Sequence, residues 1–274
     1  MWLSPEQVLK ADLPEVPKLN VLSAVPIDLS RENIKACFKK HKRTPRLRPQ
    51  PARDGTFTVV CYGPSLKNTF DGVIRETQLG HTICTVSGAH DFCIENGLIP
   101  DYHADLDGRE RKAEFVRNAH KDVTYLMASV CHPKTWEYLD GHKVMIWHLG
   151  ELNENDKIIA AKEPDAVMLR SAQCIGLNAL ILGHALGFRK FSLYGMDCSY
   201  GADGESHSGP HNGDHVENRI EVECDGKRFF TRVEWIQYCR NFTDGLFHLM
   251  KGCSFQIHGD GLFQTYARSL RKET

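Results

Sequence analysis

Residues that could carry chemistry lie in three short segments, each following an apolar run. The first is the turn Tyr62-Gly63-Pro64-Ser65-Leu66, between a β-rich run and a helical stretch. A helix N-terminus presents unpaired N–H groups and the positive end of its dipole, so an anion binds there at little cost. Gly63 would let the backbone approach a phosphate, and Ser65 would cap the helix or donate its hydroxyl. The turn matches neither the dinucleotide-binding motif nor the P-loop, so spacing alone leaves both a ligand role and an ordinary turn open.

The second segment runs from Asp101 to Arg109 and places acidic residues at alternate positions. Alternation would put four side chains on one strand face, namely Asp101, His103, Asp105 and Asp107. Carboxylates beside an arginine at the carboxyl end of a strand suit a ribose, a base edge or Mg²⁺. The alternative is that Asp107 and Gly108 form an ordinary helix-starting turn.

The third segment begins where the apolar run Lys190–Tyr194 ends. Asp197 follows it closely and is well placed to hold a ligand or to orient a histidine. The polar loop over 201–218 is too long for an ordinary connection and carries His207, His211 and His215. Its glycines and proline exclude the helix that a zinc site at this spacing would need. We therefore favour a loop that is mobile without ligand and bears one general acid or base, with a solvated polar loop as the alternative.

Strand-like and helix-like segments alternate from residue 56 onward, which predicts a parallel sheet with helices on both faces. The predicted strands are 56–61, 81–86, 101–106, 123–128, 143–148, 190–194 and a closing run over 253–258. A hairpin is predicted from 221–224 and 228–231 around Asp225-Gly226. The predicted helices are 30–40 with Ser30 as N-cap, a stretch ending at Gln78, 89–96, 109–120, 133–139, 171–186 and 233–251.

The first 53 residues are rich in proline and charge, and we interpret 1–53 as an N-terminal arm and basic linker. A single domain is then predicted over 54–274. The basic run from Lys39 to Arg53 is interpreted as a solvated linker, with an arm for an anionic partner as the alternative.

Composition favours a soluble cytoplasmic protein. The formal net charge of −1 predicts no bulk attraction to nucleic acid or membrane, so nucleic acid enters only through the basic run. The ten cysteines include no C-x-x-C pair, which disfavours a zinc knuckle and is typical of the reduced cytosol. The first six residues lack the pattern of a signal peptide, and the apolar stretches are too short to span a bilayer.

Three blocks together resemble a known superfamily: residues 59–66, residues 97–107, and residues 179–200 with the following 203–207. In order and spacing they are similar to the archaeal 6-hydroxymethylpterin diphosphokinase-like family, which includes the motility accessory factors that glycosylate flagellin. They are more distantly similar to bacterial sialyltransferases that share the "GPSL" block. The resemblance covers roughly residues 56–260 and implies a Rossmann-like fold.

The resemblance assigns the turn of Tyr62, Gly63, Pro64, Ser65 and Leu66 to the nucleotide phosphates. It assigns Asp105 and Asp107 to the nucleotide or a metal, Asp197 to the floor of the active site, and His207 to the histidine after the third block. Tyr62 stands where the sialyltransferases carry Asn. Ser87, which we place with the nucleotide-binding residues, stands with Gly88 where many relatives have Asn-Ser. These departures disfavour strict sialyl transfer.

Three functions remain open at this stage. The first is a transferase that moves a glycosyl group from a CMP- or UDP-type nucleotide sugar to an unknown acceptor. The second is an ATP-dependent diphosphokinase acting on a hydroxymethyl group of a pterin-like substrate, with Mg²⁺ on Asp105 and Asp107. The third is a non-catalytic nucleotide-binding module. A cofactor is required only by the second, and a homo-oligomer stays open for all three.

Overall fold

The structure is a computed structural model that describes residues 2–3, 25–209, 219–246 and 250–269. The chain divides into two compact units. The first unit comprises Met1–Pro49 with His103–Ser171, and the second unit comprises Gln50–Tyr102 with Ala172–Thr274. The predicted domain division at residue 53 stays a prediction. Within the described ranges no helix is both long enough and apolar enough to cross a membrane.

The first unit contains a mostly parallel sheet in the order β1-β7-β6-β5-β4. Strands β5, β6 and β7 pair in parallel, and the short β1 pairs antiparallel with β7. The elements are β1 (Trp2–Leu3), α1 (Ile27–Lys40), β4 (Tyr102–Asp105), a 3₁₀ helix (Glu110–Val116), β5 (Thr124–Ala128), α4 (Pro133–Tyr138), β6 (Lys143–Gly150), α5 (Glu154–Lys162) and β7 (Met168–Arg170). The numbers missing from this series belong to elements of the second unit.

Helix α1 begins earlier than the sequence predicted. We expected Ser30 to be its N-cap, but the first helical residue is Ile27 and the cap position is Pro26. The backbone N–H of Ser30 donates to the carbonyl of Pro26, so Ser30 already lies inside the first turn. The prediction was wrong because Pro26 fixes φ for helix entry without offering a side-chain cap.

The basic run is not a solvated linker throughout. The segment Pro45–Leu47 runs parallel to β6, where Leu47 N donates to Ile146 O at 2.7 Å and Ile146 N donates to Pro45 O at 2.8 Å. The guanidinium of Arg46 grips Glu163 through Nε (2.9 Å) and Nη2 (2.6 Å). Burial alone would raise the pKa of Glu163, but hydrogen bonds from His148 and Arg46 lower it to about 2. Arg46 is therefore a structural residue.

The second unit contains a parallel sheet in the order β3-β2-β8-β11. Helices α2, α3 and α6 pack on these strands. The elements are β2 (Thr56–Val60), α2 (Leu66–Gln78), β3 (Thr82–Val86), α3 (Ala89–Glu95), α6 (Ile175–Ala185), β8 (Lys190–Tyr194), β9 (Ile220–Cys224), β10 (Lys227–Thr231), α7 (Val233–Arg240), a π-helical stretch (Asn241–Leu246), β11 (Ser254–Ile257) and α8 (Leu262–Ser269).

The Rossmann-like α/β fold is confirmed, and most predicted strands lie within a residue or two of their expected bounds. The hairpin is confirmed as well, since Asp225 and Gly226 both have positive φ (50° and 73°), as a type I′ turn requires. The helix predicted over 233–251 was too long, because α-helical geometry ends at Arg240 and gives way to the π-helical stretch.

A buried carboxylate, Glu76 of α2, ties this helix to the sheet of the second unit. Its oxygens accept hydrogen bonds from Ser192 (2.8 Å) and Tyr194 (3.0 Å) and contact the imidazole of His81. Burial would raise the pKa of Glu76, but these hydrogen bonds outweigh burial and hold it below its usual value.

Replacing Glu76 by Gln should lower the free energy of unfolding at pH 7 by about 1–3 kcal/mol, since charged hydrogen bonds are lost. A depressed folded-state pKa stabilises the fold above the unfolded-state pKa, and this contribution is lost as the pH falls through the folded value. The wild-type advantage over Glu76→Gln should therefore shrink in acid. Urea denaturation of both proteins from pH 7 down to pH 3 measures it, and an advantage that grows in acid would contradict this assignment.

Candidate functional site

The candidate site lies in the second unit where the direction of strand order reverses. From β2 the chain leads to β3 on one side, whereas β8 lies on the other side of β2 and is followed by β11. In open α/β sheets, ligands bind beyond the carboxyl ends of the strands at this reversal. The turn 62–66 follows β2, and residues 195–197 follow β8, so both predicted segments come to this point.

The two turns touch through their backbones. Gly63 N donates to Gly195 O at 2.7 Å, and a Cβ on Gly63 would lie 2.4 Å from that oxygen and 2.5 Å from Asp197 Oδ2. Only glycine fits at position 63, because any Cβ there would collide with a backbone carbonyl oxygen, which cannot turn aside as a side chain can. Gly63→Val would therefore disturb the fold of both turns along with any ligand site.

Asp197 is the buried centre of the site, with 4% of its surface exposed. Its Oδ2 accepts from Ser65 N at 2.8 Å, and its Oδ1 accepts from Gln264 Nε2 at 3.0 Å. Burial raises the pKa of Asp197, and hydrogen bonding from Ser65 and Gln264 offsets only part of that effect. Ser65 is the N-cap residue of α2, but its side chain makes no capping hydrogen bond. Asp197 holds the start of the helix instead.

Residues 205–209, which we call the strap, lie against the turn 62–66. Ser208 N donates to Tyr62 O at 3.0 Å, and Ser208 Oγ donates to Gly63 O at 2.6 Å. The same hydroxyl accepts from Lys67 N at 3.3 Å. An ion pair of 2.8 Å joins Lys67 Nζ to Glu205. The strap therefore occupies the N–H group of α2 that a bound anion would use.

The ring of Tyr62 lies against the strap residue His207 on one side and against Gly88, just after β3, on the other. The Tyr62 ring packs on Gly88, where a Cβ would lie 2.5 Å from the ring, and its centroid is 5.8 Å from that of His207. His207 Nδ1 and Ser206 Oγ are 2.7 Å apart. Ser87 follows β3 with a φ of +50°, a strained value that occurs preferentially at functional sites. His211 and His215 lie outside the described residues.

A cleft of about 140 Å³ opens beside Asp197. It has room for a small polar group and includes residues that sequence reasoning missed, among them Ser199 and Asp260. Ser199 Oγ accepts from Leu262 N at 3.2 Å, which fixes the start of α8. Gln264 was missed too, because no local pattern marked α8 as a helix that reaches Asp197.

Asp105 and Asp107 lie in the first unit, and their contacts there are local. Strand β4 runs from Tyr102 to Asp105, so neither Asp101 nor Asp107 is on its face, and that part of the prediction was wrong. Asp105 Oδ1 accepts from Leu106 N (2.7 Å) and Asp107 N (3.1 Å), which turns the chain out of the strand. Burial, followed by the charge of Asp107, raises the pKa of Asp105 to about 7. Asp107 pairs with the guanidinium of Arg109.

The fold and this site together define a Rossmann-like α/β protein with a ligand crevice at the strand-order reversal. The chain belongs to the 6-hydroxymethylpterin diphosphokinase MptE-like family, whose model matches residues 30–203. The resemblance predicted from the three blocks is thus confirmed. No curated protein matches the chain.

A solved structure shows the same fold. The MAf glycosyltransferase from Magnetospirillum magneticum AMB-1 is 14% identical with a TM-score of 0.63, and the match covers 89% of this chain and 41% of that one. The chain thus spans less than half the length of that relative. A mammalian sialyltransferase in complex with Gal-beta-1-3GalNAc-ortho-nitrophenol is 13% identical with a TM-score of 0.42, covering 84% of this chain and 79% of that one.

Proposed function

We propose that this chain is a transferase that moves a glycosyl group from a CMP- or UDP-type nucleotide sugar to an acceptor hydroxyl. The observation that carries the proposal is the turn 62–66. It lies at the strand-order reversal, and the buried carboxylate of Asp197 fixes it there by accepting a hydrogen bond from Ser65 N. Membership of the family and a fold like that of the MAf glycosyltransferase support it.

The donor phosphate would take the place of a strap hydroxyl. Ser208 Oγ accepts from Lys67 N, as a phosphate oxygen does at a helix N-terminus. Lifting the strap breaks the hydrogen bonds of Ser208 and a partly exposed ion pair, and ion pairs near the surface stabilise little. Lys67 Nζ then becomes a second contact for the phosphate charge.

Transfer needs a base for the acceptor hydroxyl, and we assign this role to His207. The acceptor oxygen forms a bond to the anomeric carbon, the bond from that carbon to the phosphate oxygen breaks, and the nucleotide leaves with the electron pair. With Nδ1–H donating to Ser206 Oγ, Nε2 carries the lone pair that takes the hydroxyl proton. Asp197 makes no hydrogen bond to His207 within the described residues, so its part is to position Ser65 and the turn.

The diphosphokinase remains a second candidate because the family description names that activity. It would require Mg²⁺ to bridge phosphates. The described residues contain no group of three or more His, Cys, Asp or Glu that could hold a metal. Asp107 is already paired with Arg109 and Asp105 is bound by backbone N–H groups. These two carboxylates do not form a ready Mg²⁺ site.

Metal dependence separates the two candidates. We expect turnover with the nucleotide sugar to persist in EDTA and in Asp107→Asn, since no metal ligand enters the proposed step. Product formation measured with and without EDTA, then after adding back Mg²⁺, gives the answer. The diphosphokinase would be favoured if EDTA abolishes the activity and Mg²⁺ restores it, and if Asp105→Asn and Asp107→Asn each remove it. Nucleotide binding without turnover on any acceptor would favour the non-catalytic module.

Removing either partner of the ion pair between Lys67 and Glu205 should change nucleotide affinity, and the two changes should be in opposite directions. Glu205→Gln should tighten nucleotide binding by about 2–5-fold, because Lys67 is released for the phosphate, whereas Lys67→Gln should weaken it by a similar factor. Calorimetric titration measures both, with Lys251→Gln as a control for the loss of an exposed lysine in the same unit. Equal affinities in the two variants would show that no phosphate reaches Lys67.

A further inference from the structure

A second cleft, of about 600 Å³, opens in the first unit at the amino ends of β5 and β6. Its wall includes Thr124 and Lys143, the first residues of those strands, with Trp136 from α4 and His41 just after α1. It shares no residue with the cleft beside Asp197. The volume falls in the range of small-molecule sites.

Two buried ring nitrogens on this wall lack a hydrogen-bond partner among the described residues. They are Trp136 Nε1 and His41 Nε2, on rings whose centroids are 4.8 Å apart. Trp136 is 4% exposed. Folded proteins leave few such donors unpaired, because the loss costs about 1–3 kcal/mol. An oxygen of a bound molecule would satisfy the indole N–H.

Two cationic side chains that line the same cleft are not engaged by other residues that the structure describes. The side chains of Arg43 and Lys143 make no ion pair or hydrogen bond with residues that the structure describes. Other arginines of the basic run are engaged, since Arg46 binds Glu163 and Arg53 lies over the Phe188 ring at 4.6 Å. The basic run thus delivers one unpaired arginine to this wall.

The charge balance limits the ligand. Asp140 also lines the cleft, so two cations face one carboxylate and leave room for a single negative charge. Burial, together with Arg46 and Lys40, lowers the pKa of His41, and its ring adds no charge at neutral pH. Leu139 and Met145 supply apolar surface beside the polar groups.

We propose that this cleft binds a small organic carboxylate with an apolar or aromatic body. One carboxylate oxygen accepts from Trp136 Nε1, Arg43 and Lys143 balance the charge, and the apolar body packs against Leu139 and Met145. The site is separate from the proposed donor site and stands whether or not glycosyl transfer is shown.

Benzoate is a suitable probe, followed by ¹H–¹⁵N spectra of the tryptophan indole groups. We expect the Trp136 cross-peak, identified by its loss in Trp136→Phe, to shift saturably with benzoate. Benzyl alcohol has the same ring without the charge and should leave it in place. The Trp147 cross-peak is an internal control, because its N–H already donates to Leu126 O at 3.1 Å.

The variants should rank in a defined order. Trp136→Phe has no indole cross-peak at this position, so its binding is measured by calorimetric titration; the substitution should weaken benzoate binding by about 10–100-fold, as expected for a hydrogen bond to a charged group. Arg43→Gln and Lys143→Gln should each weaken it by about 2–5-fold, while Lys42→Gln, one residue outside the wall, should bind as wild type. If Trp136→Phe does not fold, titrations of the wild type and the other three variants carry the test. No saturable shift, an equal response to benzyl alcohol, binding of inorganic phosphate in place of benzoate, or equal losses in Lys42→Gln and Arg43→Gln would overturn the proposal.

Discussion

His207→Ala should lower kcat by about 10²–10⁴-fold while leaving the donor dissociation constant nearly unchanged, the usual contribution of a general acid or base. The imidazole takes the acceptor proton and does not hold the donor, so its loss raises the barrier without weakening binding. Before the donor binds, the strap should still dock on the turn 62–66, because its hydrogen bonds run through Ser208 and not through the histidine. Single-turnover rates beside calorimetric donor affinity measure both quantities.

Two variants sharpen this test. His207→Gln keeps a hydrogen-bonding side chain but cannot take a proton at neutral pH, so it should be as slow as the alanine variant. Ser206→Ala removes the partner that sets the histidine tautomer and should cost less than His207→Ala. A fully active His207→Ala protein would remove this residue from the mechanism and return the loop to a solvated surface. The predicted smaller effects of His211→Ala and His215→Ala concern residues outside the described ranges.

Asp197→Ala should reduce the free energy of unfolding by about 2–6 kcal/mol, because two buried donors, Ser65 N and Gln264 Nε2, each lose their acceptor at about 1–3 kcal/mol. Asp197→Asn keeps one acceptor oxygen and should lose about half as much. Nucleotide affinity should fall with the loss of order at the turn 62–66. Urea denaturation and calorimetry on the three proteins measure these effects.

The pH dependence at Asp197 should run opposite to that at Glu76. A folded-state pKa above the unfolded value means that the native protein binds the proton more tightly, so the fold loses stability as the pH rises between the two values. The wild-type advantage over Asp197→Asn should therefore widen as the pH is lowered from neutrality. An advantage that narrows in acid would show that Asp197 is held ionised by a cation that the described residues do not include.

Short-range sequence patterns correctly predicted most strands and the hairpin turn, because neighbouring residues determine these elements. Strands such as β2 and β8 are short apolar runs ended by glycine turns, and the Asp225-Gly226 hairpin depends on two adjacent residues that tolerate positive φ. Helix α5 was missed although Asn153 caps it with its side-chain oxygen, because its apolar residues give no clear helical stripe. The predicted helix over 109–120 is a shorter 3₁₀ segment.

The candidate site also has one part that the sequence predicts and one part that it does not. Gly63 and Asp197 each come just after a strand that the sequence predicts. In open α/β sheets, ligands bind beyond the carboxyl ends of the strands, so this part of the site could be predicted from the sequence. The partners that complete the site come from far along the chain: Ser208 on Gly63 and Gln264 on Asp197. No spacing in the sequence encodes such contacts, since they arise only when the strap and α8 pack against the turn.

Transfer from a nucleotide sugar is tested by calorimetric titration of the purified chain. The panel contains CMP- and UDP-activated sugars, their free nucleotides and ATP, each with and without Mg²⁺. We expect a CMP- or UDP-activated sugar to bind, to raise the melting temperature because it binds only the native state, and to bind more weakly to Lys67→Gln. Binding of ATP alone, dependent on Mg²⁺ and unchanged in Lys67→Gln, would contradict it.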